Sequence, residues 1–227
     1  MNVMEQSLYW QMGPPAEQVR KQKLGEEIAN AVSHGIGALL AIAATVLVII
    51  RAVGHGVAIS VVSAALYGSS MIVLYLFSCL YHALTAPRGK KVFQILDHCS
   101  IFFLILGTYI PIALVGIGGA LGWVLFGIIT GCALLGITLN AVNLQRFKKF
   151  SMVLYIGMGW AAIFAIRPLW QAIGLGGFAL LLAGGLCYTL GVIFYKKKEQ
   201  PYMHFVWHLF VMGGSVFHFF LIYQYCC

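Results

Sequence analysis

Two histidines near the C-terminal end of the chain, His204 and His208, have the spacing of a metal-binding pair. Residues four apart on a helix share a face, with Cβ atoms about 5–6 Å apart. Both imidazoles can therefore bind one metal ion. The pair opens a long apolar run, and such side chains on a membrane helix usually have a function. The spacing alone is a weak signal, so its value depends on further ligands at the same depth.

Basic clusters in the sequence place other polar residues at that depth. His82 lies six residues before one cluster, Asp97 lies six residues after the same cluster, and His204 lies six residues after another. Because such clusters mark the cytoplasmic ends of membrane helices, these residues and His208 share one layer. We expect that layer about one to two helical turns inside the membrane face.

This layer has the composition of an open zinc site. Three neutral imidazoles and a water complete a tetrahedral zinc shell, and such a water can be activated at neutral pH. Asp97 is the only acid between Glu27 and Glu199, and a nearby carboxylate can orient a ligand or the water. Ser78, a turn deeper than His82, can hydrogen-bond the water or Asp97. The alternative is a set of interfacial residues satisfied by water near the headgroups.

The first apolar helix carries its own polar face. Glu27, Asn30 and His34 follow an i, i+3, i+7 pattern and share one side of the helix. Glutamates in a first turn also favour the helix dipole, which explains Glu26 and Glu27 but not the two deeper residues. Support of the layer and plain helix–helix hydrogen bonding both remain open.

Three more polar residues lie near the candidate ligands. His98 follows Asp97 and so points about 100° away from it on a helix, which fits an outer support of the site or a structural role. Ser215 and His218 continue the His208 face towards the membrane midplane.

The composition is that of a polytopic membrane protein. The 227 residues are 61% hydrophobic and 9% charged, whereas soluble domains have about 25% charged residues. The net charge of +8 lacks the polar basic face that nucleic acid binding needs, so these charges indicate topology and contacts with anionic headgroups. The six cysteines form no ligand or disulfide pattern. Residues 1–25 form a polar cytoplasmic tail without a signal peptide, and residues 26–227 form the membrane domain.

Hydropathy and charge predict an all-α bundle of seven transmembrane helices. The basic residues bound five apolar runs, and two of these runs are too long for one span of about 20 residues. They divide at the glycines of 116–122 and near Arg167–Pro168 and Gly174–Gly177, and Pro111 is expected to kink the third helix. The predicted helices are 27–51, 58–84, 93–115, 121–142, 151–167, 175–195 and 203–225.

The same charges predict the orientation. Three basic residues fall in the N-terminal tail and three in each of the loops between helices 2 and 3, 4 and 5, and 6 and 7. Only Arg51 and Arg167 fall on the other side. The positive-inside rule then puts the N-terminus in the cytoplasm and the C-terminus outside.

Together these motifs resemble a known family. The segments are Glu27-x-x-Asn30-x-x-x-His34, Ser78-x-x-x-His82, Leu96-Asp97-His98 leading to Gly107-Thr108-Tyr109-x-Pro111, and His204-x-x-x-His208. Their order resembles the progestin and adipoQ receptor superfamily, to which alkaline ceramidases are related, and the bacterial hemolysin III branch in particular. The resemblance covers residues 24–225. It implies a seven-helix bundle in the bacterial inner membrane, with the N-terminus inside.

The resemblance also implies a site and a function. His82, His204 and His208 would bind zinc near the cytoplasmic side, and Asp97 would hold or activate the water. The chain lacks the long N-terminal domain of the eukaryotic receptors, so no protein-hormone ligand is expected.

The leading hypothesis is a zinc-dependent hydrolase of membrane lipid, a ceramide-like amide or an acyl ester, that serves lipid homeostasis. The alternatives are a membrane-state sensor with structural zinc, a cytolytic pore-former, which the absence of export signals disfavours, and a transporter, which the absence of paired broken helices disfavours.

Overall fold

The protein is described here by a computed structural model covering residues 22–197 and 199–227, in which every regular element is a helix. Most of the predicted N-terminal tail lies outside this range. Six α-helices follow in chain order: α1 Leu24–Gly54, α2 Ala58–Ala83, α3 Pro87–Pro111, α4 Gly119–Gly159, α5 Ile166–Lys196 and α6 Met203–Tyr225. A π-helix, Ile112–Ile117, follows α3, and a 3₁₀ helix, Ala161–Ala165, precedes α5.

Within residues 22–197 and 199–227, five helical segments are long and apolar enough to cross a membrane, and the all-α prediction is confirmed there. They are Leu24–Gly54, Ala58–Ala83, Pro87–Ile117, Gly119–Lys196 and Met203–Tyr225. Large apolar side chains such as Leu39 and Phe164 are mostly exposed on their surface. Such apolar surfaces suit contact with lipid. Helices can span a bilayer because they satisfy their own backbone hydrogen bonds. The protein is a multi-pass membrane protein.

The 119–196 segment turns back on itself at Asn143. This residue has extended backbone angles, φ −159° and ψ 91°, within an otherwise helical stretch. Asn140 Oδ1 accepts a hydrogen bond from Ser151 Oγ at 2.6 Å, and Asn140 Nδ2 donates to Tyr155 Oη at 3.2 Å. In a straight helix, residues 140 and 151 would lie about 17 Å apart. Residues 119–142 and 144–159 therefore run back along one another.

A second reversal lies near Gly174, within the region where the glycines predicted a break. Gly174 has φ 58°, a left-handed conformation that glycine adopts without a steric cost. Trp160 Nε1 donates to Thr189 Oγ1 at 3.1 Å, although a straight helix would hold these residues about 43 Å apart. The reversal at Asn143 lies a few residues before the basic residues at 146–149, which had predicted a loop there.

The packing order decides which residues meet. α1 packs along α2, α2 along α3 and α5 along α6, and α1 also contacts α6. Small residues permit close approach, since a Cβ on Gly37 would meet the Tyr75 ring and one on Gly136 would meet the Phe102 ring. As a result, the first turns of α1 and α6 lie beside the last turns of α2. At Pro111, where the sequence predicted a kink, α3 changes directly into the π-helix, since proline has no N–H for the α-helical hydrogen bond.

Candidate metal centre

Three histidines from two helices converge at one end of the bundle. His82 lies in the last turn of α2, and His204 and His208 lie in the first two turns of α6. One nitrogen from each ring lies within 4.8 Å of the others. Tetrahedral zinc with bonds of about 2.0–2.1 Å holds its nitrogens about 3.4 Å apart. The nitrogens therefore lie at most about 1.4 Å further apart than a bound zinc ion would hold them.

The hydrogen bond between His82 and Glu27 shows which nitrogen of His82 faces the cluster. His82 Nδ1 lies 2.7 Å from Glu27 Oε2, so the N–H of this ring nitrogen donates to the carboxylate. The other nitrogen, Nε2, is buried without a hydrogen-bond partner. A buried acceptor without a partner is unfavourable unless something binds it. A carboxylate behind a histidine also increases its basicity as a metal ligand, so His82 fits a metal ion.

Lys90 at the start of α3 fixes the carboxylate of Glu27. Lys90 Nζ lies 2.9 Å from Glu27 Oε1 and donates to the Tyr81 carbonyl at 3.2 Å. Glu27 thus bridges Lys90 and His82 with its two oxygens. Sequence analysis placed Glu27 on the polar face of the first helix, but it identified Lys90 only as a charge that marks topology.

Ser33 on α1 orients His208 in a similar way. Its hydroxyl donates to the Asn30 carbonyl at 2.9 Å and lies 3.3 Å from His208 Nδ1. Because the hydroxyl proton is used, Ser33 accepts from the Nδ1–H, and His208 Nε2 is left as an acceptor for a metal. Sequence analysis missed Ser33, although it lies one turn after Asn30 in the polar face of α1.

Glu26 on α1 holds the start of the helix that carries His204. The backbone of Tyr202 is left-handed, with φ 61°, which is uncommon for a residue with a side chain. Its N–H donates to Glu26 Oε1 at 2.8 Å, and Glu26 is only 4% exposed. Sequence analysis had explained Glu26 only by its favourable interaction with the helix dipole. The first turns of α1 therefore supply side chains that hold all three histidines in place, although none of the three histidines lies on α1.

His34 and Asn30, the other predicted support residues of α1, are both buried beside the cluster. The His34 ring stacks on His208 with ring centroids 3.6 Å apart, and both of its nitrogens lack a hydrogen-bond partner. Asn30 Nδ2 donates to Gln22 Oε1 at 2.9 Å. Stacking restricts the rotation of His208, so His34 contacts the cluster through its ring face.

Asp97 and Ser78 line a small cavity that His204 and His208 also line. Its volume is about 30 Å³, and a water needs about 10–15 Å³ measured in this way. The Asp97 side chain is 14% exposed, and Ser78 is buried. The sequence-predicted pair thus lies beside the histidines, with room for water between them.

A larger apolar cavity of about 140 Å³ adjoins the small one. Six residues line both: Leu74, His98, Ile101, Tyr195, Trp207 and Val211. Its walls come mainly from α3, the 144–159 part of α4, α5 and α6. α4 and α5 pack only loosely on one another. Sequence analysis did not predict this cavity, because the residues that line it resemble those of a lipid-facing helix surface.

The remaining predicted support residues lie around this larger cavity. Ser215 Oγ accepts from Tyr75 Oη at 2.7 Å and lies 2.9 Å from Tyr188 Oη, which joins α2, α5 and α6. His218 Nε2 lies 3.3 Å from the Leu181 carbonyl, and His98 Nδ1 donates to the Gln94 carbonyl at 2.9 Å. Ser215 is about 10 Å along α6 from His208, so it braces helices and does not touch the cluster.

A family model described as Haemolysin-III related matches residues 22–219. The chain belongs to this family. It is 48% identical to Hemolysin-3 of Bacillus cereus over 201 residues, which cover 88% of this chain and 92% of that protein. It is 44% identical to the Hemolysin-3 homolog of Bacillus subtilis (strain 168), over 88% of this chain and 94% of the relative.

The chain is also similar to more distant eukaryotic proteins. The human monocyte to macrophage differentiation factor is 25% identical over 174 residues, which cover 72% of this chain and 70% of that protein. The matched family region, residues 22–219, contains Glu27, His82, Asp97, His204 and His208. The family resemblance drawn from the four motifs is therefore confirmed.

Proposed function

We propose that this haemolysin-III-related protein is a zinc-dependent hydrolase that cleaves an amide or ester bond of a membrane lipid. The observation that carries the proposal is the position of the three-histidine cluster. It opens onto a small cavity with a carboxylate, and that cavity adjoins an apolar one large enough for part of an acyl chain. Polar chemistry beside a dry apolar pocket suits a substrate with a reactive carbonyl and a long chain.

The metal and the chain have separate roles in this reaction. Bound zinc acts as a Lewis acid on a carbonyl and activates water at neutral pH. Asp97 orients the attacking water and accepts its proton, and it later returns that proton to the leaving amine or alcohol. Ser78 hydrogen-bonds the water or the carboxylate. Glu27 and Ser33 keep the rings of His82 and His208 in the tautomer that faces the metal.

The substrate enters sideways from the bilayer. α4 and α5 are the loosely packed walls of the larger cavity, and exposed apolar side chains cover the surface around them. An acyl chain can pass between these helices without leaving an apolar medium. We therefore place the lipid tail in the larger cavity and its carbonyl in the small one. Membrane lipids are the partners expected of this site.

The direct test is hydrolysis by purified protein in lipid nanodiscs. Zinc-loaded protein is expected to release fatty acid from an N-acyl sphingoid base or from an acyl ester, and removing zinc with a chelator should abolish the release. Restoring zinc should recover it. A sensor with structural zinc instead predicts no release and a loss of folding when zinc is removed. Dye leakage from vesicles tests the cytolysis that the names of the Bacillus relatives suggest.

We also propose seven membrane crossings with the N-terminus inside and the C-terminus outside. The two reversals, at Asn143 and Gly174, divide the 119–196 segment into three antiparallel stretches. With α1, α2, α3 and α6 this makes seven. The alternation of basic loops supports the orientation, because cytoplasmic loops are enriched in Lys and Arg.

Reporter fusions are expected to alternate in sidedness along the chain. Fusions after Thr85 and Arg146 should report the cytoplasm, and fusions after Gly118 and Gly174 should report the outside. Accessibility of single added cysteines to a membrane-impermeant reagent gives an independent readout. If the Arg146 and Gly174 positions lie on the same side, the seven-crossing topology is wrong.

A further inference from the structure

We propose that Tyr155 is a positioning residue for Asp97, and that it acts through a hydrogen bond to the backbone of the helix that carries Asp97. The proposal rests on the proposed function, because it treats Asp97 as the base of the reaction. It deepens that function by assigning a residue outside the small cavity that holds the base in place. The support comes from a set of hydrogen bonds that join α4 to α3 and from the packing of one aromatic ring.

The backbone carbonyl of His98, the residue directly after Asp97, accepts hydrogen bonds from another helix. Tyr155 Oη donates to this oxygen at 2.7 Å, and Asn140 Nδ2 lies 3.5 Å from it. A carbonyl oxygen inside a helix accepts one N–H from its own helix and has a second lone pair for a further donor. Tyr155 and Asn140 use this free side of the oxygen. α4 therefore fixes the backbone of α3 at the residue beside Asp97.

Asn140 determines the direction in which the Tyr155 hydroxyl donates. Its Nδ2 donates to Tyr155 Oη at 3.2 Å, so the hydroxyl oxygen accepts this bond and its proton is directed to the His98 carbonyl. Asn140 Oδ1 accepts from Ser151 Oγ at 2.6 Å, and Asn140 is fully buried. Both ends of the amide are thus bonded. A buried polar network in which every group is paired makes its surroundings rigid.

Ring packing holds the same turn of α3 at its other end. The Tyr155 ring lies against the ring of Phe102, with centroids 4.3 Å apart, and Phe102 is one helical turn after His98. Phe102 is fully buried. It also packs against Gly136, where a Cβ would overlap its ring. The turn from His98 to Phe102 therefore cannot shift without breaking contacts with both antiparallel stretches of α4.

Asp97 lies directly before this fixed turn and lines the small cavity with His204 and His208. Its own backbone carbonyl accepts a hydrogen bond from Ser100 Oγ at 2.7 Å, so two consecutive carbonyls of α3 have a side-chain donor. A base must lie within about 2.6–3.2 Å of the group whose proton it takes, and a displacement of about 1 Å can cost about 10²-fold in rate. Among the described residues that line the small cavity, Tyr155 is absent, so we place its effect on Asp97 in the backbone of α3.

The first test combines Tyr155→Phe and Asp97→Asn in full-length, zinc-loaded protein in nanodiscs. Phenylalanine keeps the ring that packs on Phe102 and lines the larger cavity, and it removes only the hydroxyl. We expect Tyr155→Phe to lower the rate of hydrolysis about 10–100-fold, with zinc content and KM unchanged. The double variant should be no slower than Asp97→Asn, because the effects of residues that act through one another are not additive. A further fall in the double variant would overturn the proposal.

The second test does not need hydrolysis. Cobalt(II) added to the metal-free protein in place of zinc absorbs visible light, and the positions of its absorption bands depend on the groups around the metal. Asp97→Asn should shift these bands, Tyr155→Phe should shift them in the same direction, and the double variant should shift them no further than Asp97→Asn. Bands that Tyr155→Phe leaves in place would overturn the proposal. Shifted bands in a protein without hydrolysis would refute only the enzyme.

Tyr109→Phe is the matched control for the loss of a hydroxyl contact between helices. Tyr109 Oη donates to the Gly159 carbonyl at 3.2 Å and accepts from the Ala162 N–H at 2.8 Å, about 18 Å along α3 from Asp97. This variant should lower thermal stability at least as much as Tyr155→Phe does, but it should leave the cobalt bands in place. If Tyr109→Phe shifts the bands by as much, Tyr155 is an ordinary helix contact and the proposal is wrong.

Discussion

Replacing His208 with alanine is expected to remove nearly all zinc from the purified protein, which should otherwise hold about one zinc per chain. The nitrogens of His82, His204 and His208 lie within 4.8 Å of one another, so we expect each to be one of three protein ligands. Losing a ligand should weaken binding more than the 10–100-fold typical of changes in residues behind a ligand. Elemental analysis by mass spectrometry of equal amounts of folded protein measures this directly.

Two controls make the zinc result specific. His55, after the end of α1, is exposed and outside the cluster, so His55→Ala should keep full zinc. Glu27→Gln keeps the size of the side chain that bonds His82 but removes its charge, and it should weaken zinc binding by about 10–100-fold. Equal zinc content in His208→Ala, His204→Ala and His55→Ala would show that the cluster is not the metal site.

The proximity of His82, Asp97 and His204 could be predicted because charge and hydropathy indicate how far each residue lies from the end of its helix. His82, Asp97 and His204 each lie six residues from a basic cluster, and the structure brings them to neighbouring positions. This prediction needed only the position of each residue along its helix. It did not require knowledge of which helix is next to which.

The contacts that hold the three histidines in place could not be predicted. They depend on which helices are neighbours and on how each helix is rotated about its axis. Ser33 reaches His208 only because α1 lies against α6, and Glu26 reaches Tyr202 for the same reason. The hydropathy of the sequence does not show which helix packs against which. The first helix offered polar residues on a shared face, but several partners were compatible with that pattern.

The fold-back in α4 shows a similar limit. Basic residues at 146–149 indicated a loop, whereas the chain reverses at Asn143. Asn143 Oδ1 accepts the N–H of Arg146 at 3.0 Å, as a capping side chain does at the start of a helix. The cap therefore precedes the charges, which lie in the first turns of the next helix. Charge indicates the side of the membrane better than it indicates the turning residue.

Replacing Asp97 with asparagine is expected to abolish hydrolysis while most of the zinc stays bound. Asp97 lines the small cavity beside His204 and His208 but lies outside the group of nitrogens that can hold one ion. Three histidines and a water already complete a tetrahedral shell, so the carboxylate is available as a base. Asparagine keeps the size and some hydrogen bonding of aspartate and removes its basicity.

The expected magnitudes separate a base from a ligand. Loss of a general base typically costs about 10²–10⁴-fold in rate, whereas a change behind the ligands weakens metal binding by about 10–100-fold. Zinc content, thermal stability and hydrolysis should be measured on the same Asp97→Asn sample at saturating zinc. A sensor with structural zinc predicts that function follows zinc and stability. Full zinc, full stability and full hydrolysis together would eliminate Asp97 as the base.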